Sequence, residues 1–134
     1  MIQNKIVIHY ADKRLQKGIT TDFFPNKEVF HVTPMDYKPG DKALEVRVAD
    51  LKAVFFVKNF IGNPKYGEKK EFEPGKPVLG RKIKVLFKDG EVMVGTTNGY
   101  QPDRPGFFVV PADPLSNVDR CFVVAKSTNE VKFI

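Results

Sequence analysis

The sequence predicts an all-β protein built as two fused five-stranded barrels related by internal duplication. Three observations predict it. A run of strand, tight turn, strand, Pro/Gly-rich loop and strand extends from Lys82 to Pro111, and it recurs 77 positions earlier, from Lys5 to Pro34. Apolar and polar residues alternate along the strand-like segments, which is the period of a half-buried strand. Laid on each other without a gap, residues 5–57 and 82–134 share 13 identical pairs of 53, among them Asp12/Asp89, Gly18/Gly95, Thr20/Thr97, Pro34/Pro111 and Val46/Val123. That is well above chance, and a repeat of this kind is best sought before any other feature.

Each copy yields five strands. In the first copy they fall at about 5–10, 14–21, 29–33, 44–49 and 53–57; in the second at about 82–87, 91–98, 106–111, 120–126 and 130–134. Lys88-Asp89-Gly90 makes the first turn of the second copy, where Gly supplies positive φ at a hairpin corner. The matching Asp12-Lys13 is a poorer turn. Gly18 and Gly95 sit inside the second strands, where Gly marks a bulge or a sharp bend. A small barrel needs such a bend so that one long strand serves both sides. Ala49–Lys52 and Lys126–Asn129 are each short enough for a single 3₁₀ turn. The chain therefore divides into a first barrel at 1–57, an ordered connecting segment at 58–81 and a second barrel at 82–134.

Alternation separates two faces. The expected cores are Ile6, Ile8, Tyr10, Leu15, Phe30, Val32, Val46, Val48, Val54 and Phe56 in the first copy, and Ile83, Val85, Phe87, Val92, Phe107, Val109, Val123, Ala125, Val131 and Phe133 in the second. The other face differs between copies. His9, Gln16, His31, Thr33, Glu45 and Arg47 are replaced by Leu86, Met93, Phe108, Val110, Phe122 and Val124, and on the last strand the direction reverses, Phe55 against Lys132. An apolar patch of this extent signals an interface. The expectation is that these six residues are buried within the chain, against the first copy's last strand with its Phe55 or against the connecting segment; a homodimer is the second way to cover them, and one larger two-sheet sandwich predicts similar burial. The connecting segment, Lys58–Arg81, holds Phe60, Ile61, Tyr66, Phe72, Val78 and Leu79. A flexible spacer carries no such load of large apolar groups, so the segment should be draped over the apolar face.

Composition bounds the rest. At 134 residues and 42% hydrophobic content, the chain can build a packed core without disulfides. The single Cys121 excludes an internal bridge and suits a reducing compartment. The only apolar run near the start, Ile6–Ile8, is too short for a signal peptide, and no membrane-length apolar span exists. The expected location is the cytoplasm, with no membrane partner. Net charge is +6, of which half lies in residues 58–81. A weak, dispersed basic surface favours nucleic acid less than a concentrated one.

The order strand, KDG turn, Gly-bearing bent strand, loop, strand, strand, 3₁₀ turn and short strand is similar to the Sm-like version of the SH3-like barrel. Lys82–Gly95 looks like the first half of an Sm motif, and Val46–Val57 like its last two strands. The whole chain, with FFVKNF and GYQPDRPGFFVVPADPLSN, also resembles a group of small bacterial proteins of unassigned function. The resemblance implies a fold and no activity. RNA-binding Sm proteins place Asp and Asn after strand two and a basic residue before the last strand. Here Asp103 has no following Asn, and Ser127-Thr128-Asn129-Glu130 has no basic residue. The cyclic di-GMP-binding PilZ barrel needs an RxxxR stretch, for which Arg81 has no partner.

No phosphate loop, zinc spacing, serine elbow or dinucleotide fingerprint is present. His9 and His31 read as solvated cross-strand neighbours without a third ligand for a metal. Cys121 reads as a small semi-buried side chain. Neither an enzyme nor a cofactor is expected. The best ligand-facing stretch is Tyr100–Phe107, where Arg104 stands on a stiff bend beside Asp103. An Arg with a nearby Tyr can grip a carboxylate, a phosphate or a base. Asn117 and Arg120 form a weaker second candidate. The expected function is non-enzymatic binding of another, unidentified protein in a bacterial cytoplasm, with RNA or nucleotide binding through the barrel loops as the alternative.

Overall fold

The computed structural model describes residues 2–63 and 65–134; Met1, and Pro64 of the connecting segment, lie outside the described residues. Ten strands follow the chain: β1 (Asn4–Tyr10), β2 (Leu15–Thr20), β3 (Val29–Pro34), β4 (Leu44–Arg47), β5 (Leu51–Val57), β6 (Arg81–Phe87), β7 (Val92–Thr97), β8 (Gly106–Pro111), β9 (Val118–Val124) and β10 (Thr128–Phe133). Single 3₁₀ turns at Val48–Asp50 and Ala125–Ser127 join β4 to β5 and β9 to β10, each beginning one residue earlier than the sequence suggests. No helix among the described residues is long and apolar enough to cross a membrane.

All neighbouring strands are antiparallel, and they form one ten-stranded sheet in the order β10-β6-β7-β8-β9-β5-β1-β2-β3-β4. This corrects the expectation of two fused barrels: the all-β class stands, but a single open sheet carries both halves. The join is β5 against β9, in the register Ala53↔Val123, Val54↔Phe122 and Phe55↔Cys121. The physical reason lies in those two strands. Nearly every residue of Leu51–Val57 and Cys121–Val124 is buried, and a strand apolar on both faces belongs in the middle of a sheet rather than at an edge.

Two cores lie on opposite faces of the join, and each draws on both halves. The first holds Ile6, Ile8, Phe30, Val32, Val46, Val48, Leu51, Val54 and Phe56, together with Phe122 and Val124 from β9. The second holds Ile83, Val85, Phe87, Phe107, Val109, Cys121 and Val123, together with Ala53 from β5. Of the residues expected in the cores, Leu15 is 58% exposed and Phe133 is also exposed, because β2 and β10 carry them near their open ends. Val92, Ala125 and Val131 are half-buried.

Local structure recurs at the 77-residue offset. The Thr20 hydroxyl donates to the His31 carbonyl, and the Thr97 hydroxyl to that of Phe108. Val48 N–H reaches the Glu28 carbonyl, and Ala125 N–H that of Pro105. A Cβ on Gly18 would collide with the Thr33 carbonyl, and one on Gly95 with that of Val110, so both β2–β3 and β7–β8 approach too closely for any side chain.

The connecting segment is a strap pinned at several points. The Asp113 carboxylate accepts hydrogen bonds from the Tyr66 hydroxyl and from the Lys69 and Leu115 amides. Ser116 donates to Glu68, and Asn117 exchanges bonds with Asn59. Lys17 Nζ holds the Phe60 carbonyl at 2.8 Å. Phe60, Tyr66 and Phe72 are half-buried, but Ile61, Val78 and Leu79 stand in solvent, Leu79 at 90%. The strap thus follows a polar track along the β8–β9 loop, and only half of its apolar groups are covered.

Candidate functional site

Both halves give the same two segments to one cleft of about 660 Å³ at their junction. From the first half come the β2–β3 loop at Asn26–Glu28 and the β4 end with its 3₁₀ turn. From the second come the β7–β8 loop at Pro102–Pro105 and Val124–Lys126. The amide-to-carbonyl bonds Val48 to Glu28 and Ala125 to Pro105, both 2.9 Å, tie each loop to its own turn. Prolines stiffen the second loop, because each fixes φ near −65°. The walls are therefore set by backbone rather than by side-chain packing.

The lining is charged with both signs. Lys27, Arg47, Arg104 and Lys126 face it alongside Glu28, Glu45 and Asp103. None of the seven forms an ion pair among the described residues. Arg104 Nε donates instead to Gln101 Oε1 at 3.0 Å, and the residue is exposed. Lys27 rests over the Phe24 ring at 4.8 Å. Lys27 and Arg104 are the same position of the two copies.

The five residues named from sequence fall in four places. Asp103 and Arg104 line the junction cleft. Tyr100 does not join them: it packs on Phe107 at 4.7 Å and Phe133 at 5.7 Å, as Phe23 packs on Phe30 and Phe56 in the first half. Asn117 lines a second cleft of about 460 Å³ beneath the strap. There its amide is already engaged by Asn59. Arg120 caps an aromatic group, its guanidinium carbon 4.3 Å from the Phe56 centroid and 4.6 Å from that of Phe108. Sequence reasoning missed Arg47 and Lys126 in the cleft. Their signal was the junction itself, which only the pairing of β5 with β9 creates.

The residues expected at an interface divide as well. Phe122 and Val124 are buried in the first core, and Phe108 packs on it. Phe55 and Met93 pack on the second core. Leu86 is half-buried, beside Lys84, Val92, Glu130 and Lys132 in a small pocket of about 200 Å³, and Val110 is 50% exposed.

Other titratable groups are tied into the fold. Lys52, only 9% exposed, reaches from β5 to the β6–β7 turn and pairs with Asp89 at 2.8 Å and Glu91 at 3.3 Å. The Lys52 ammonium holds the Asp89 carboxyl below its usual range. His9 lies against Phe55, with ring centroids 4.4 Å apart; burial, and then Lys52, lower its pKa. His31 instead contacts Asp22 through Nδ1 at 2.7 Å, so the two histidines do not meet as the sequence suggested. Burial pushes the Cys121 thiol up and withholds the thiolate. Among the described residues, no group of three or more His, Cys, Asp or Glu is arranged to hold a metal ion.

Comparison with known proteins adds one relationship. No curated protein matches the chain, and no solved structure does. Residues 2–134 match the model of DUF6982, a family of unknown function, and the chain belongs to that family.

Proposed function

We propose that the chain is a non-enzymatic binding module that docks another protein in the junction cleft. The observation that carries this reading is the lining: four basic and three acidic side chains that form no ion pair among the described residues, around one preformed cleft. Unpaired charges of both signs suit a polypeptide, which offers both signs. A nucleic-acid backbone would gain from the four cations but would be repelled by Glu28, Glu45 and Asp103. RNA or nucleotide binding is the second reading, favoured by Arg104 and its equivalent Lys27. The bacterial cytoplasm is the compartment proposed, supported by a free, buried cysteine. The finer architectural reading is part of the same proposal. Two Sm-like units, duplicated and joined edge to edge, are supported by the strand order, which is last-first-second-third-fourth in each half.

Affinity capture with the intact protein and with Arg104→Glu/Lys126→Glu tests the site. A protein retained by the first and lost with the second is the expected result. Retention of the same proteins by both overturns the cleft reading. Saturable binding of a fluorescent RNA pool at low salt, lost in the same variant, would replace it with the second reading.

A further inference from the structure

β4 is an open edge of the sheet, paired only with β3. One side of its backbone N–H and C=O groups therefore lacks a strand partner among the described residues. The same edge in the second half is not open. β9 is the counterpart of β4, and its far side is filled by β5. The molecule thus contains one worked example of a strand seated on this kind of edge. Building on the proposed protein-binding cleft, we propose that β4 seats an extended segment of the partner as an eleventh, antiparallel strand.

The side chains define that segment. Shifting the β5–β9 register by 77 residues places Val46 where Val123 stands, Glu45 where Phe122 stands and Arg47 where Val124 stands. Glu45 and Arg47 line the junction cleft, while Val46 is buried in the first core. Directly opposed residues of an antiparallel pair share a face and interact. Read from its N-terminus, the incoming strand meets Arg47, Val46, Glu45 and Leu44 in turn. Its complement is an acidic residue, a small apolar residue, a basic residue and a second apolar residue. Main-chain bonds supply affinity and the alternate side chains supply selectivity, as in other strand-addition complexes.

A second copy paired through its own β4 would set Glu45 against Arg47 and Val46 against Val46. The partner reading expects one mass for the free chain in sedimentation, and a dimer lost in the Glu45→Lys/Arg47→Lys variant would overturn it. The other open edge of a second copy, β10, fits poorly, since the same register would set Glu130 against the buried Val46 and Val131 against Glu45. A charge would meet a core position, and an apolar group a carboxylate.

The test uses the full chain and a fluorescein-labelled peptide with the core Thr-Glu-Ala-Lys-Val-Thr. Saturable binding by anisotropy is expected, with slowed amide exchange at Leu44–Arg47. Exchanging the peptide's Glu and Lys should weaken binding about tenfold. The Glu45→Lys/Arg47→Glu variant should reverse that preference. Methylating alternate peptide amides should abolish binding. Equal binding of both charge orders, undiminished binding of the methylated peptide, or unchanged exchange at β4 would each overturn strand addition. A partner captured through Arg104 and Lys126 that leaves β4 exchange unchanged would overturn this mode alone and leave the cleft reading in place.

Discussion

Lys13 is the one non-glycine residue with positive φ, at 76°, among the described residues. Its counterpart in the second half is Gly90, at 93°. The two turns are otherwise alike: Tyr10 N–H bonds the Arg14 carbonyl as Phe87 N–H bonds that of Glu91, and Asp12 and Asp89 each accept the amide two residues on. A left-handed conformation strains a residue that has a Cβ by about 1–2 kcal/mol. Lys13→Gly relieves that strain but enlarges the unfolded ensemble. A net gain of about 0.5–1 kcal/mol is expected in urea unfolding, and Gly90→Ala should lose about 1–2 kcal/mol. The sequence showed that Asp12-Lys13 was the poorer turn, because a turn's chemistry is local. It gave no sign that Tyr66 would reach Asp113, since that bond joins residues 47 apart. Tyr66 is pushed up to about 12 by this bond, and Asp113 is held low by the Lys69 amide first and the Tyr66 hydroxyl next. The folded state favours neutral Tyr66, so its contribution is present below pH 10 and is lost as pH rises from 10 towards 12. Amide exchange at Lys69 should therefore accelerate across that window beyond its intrinsic hydroxide-catalysed rise, and Tyr66→Phe should remove that excess. Exchange that follows only intrinsic chemistry would contradict the assignment.

At the scale of the strand, the polar-to-apolar contrast between the copies acquires a cause. Phe122 and Val124 are apolar because β9 is covered by β5; Glu45 and Arg47 are charged because β4 is not. The charges Glu130 and Lys132 mark β10 in the same way. Charged side chains are a common means of keeping an open edge from pairing indiscriminately. Replacing Glu45 by Phe and Arg47 by Val, with Glu130 by Ala and Lys132 by Phe, gives the outer edges the side chains of the inner ones. Sedimentation should then show concentration-dependent assembly, while the parent chain keeps one mass. The existence of ten strands and their places along the chain were legible in the sequence, since alternation and turns are short-range signals; their union in one sheet was not. The partner of β9 was not fully legible, because a doubly apolar strand announces burial without naming its neighbour.

At the scale of the molecule, two cores share a pair of strands. Val54 and Phe56 face one core while Ala53 faces the other, and Phe122 and Val123 divide likewise. Damage at the join should therefore be felt on both sides. Phe122→Ala opens a cavity in the first core, at a cost of about 3–5 kcal/mol. Native-state amide exchange should report the same loss at Ile6 and at Ile83, one in each core, if the sheet unfolds as a unit. A loss confined to Ile6 would mean that the halves melt independently. The junction cleft belongs to this scale. Arg104 could be picked out because a Pro-flanked Arg on a loop is conspicuous by itself. Arg47 and Lys126 become neighbours of that loop only once the halves are joined.

The strap carries one more consequence. Its polar pins lie between Asn59 and Lys70, whereas Gly75 is exposed with open space around its Cα. Chain continuity at Gly75 contributes tethering and one exposed turn, in which Lys76 meets Glu73 through its amide and its ammonium. A gene split between Gly75 and Lys76 should therefore yield two pieces that recognise each other. Residues 2–75 bring β5 and the pinned strap, and residues 76–134 bring β9. Co-expressed, they should co-purify as a one-to-one pair with the β-sheet spectrum of the intact chain; pieces that stay apart or precipitate when mixed would show that the covalent link is essential. Such complementation would make the protein a natural split reporter, with assembly driven by a strand seam rather than by a tether.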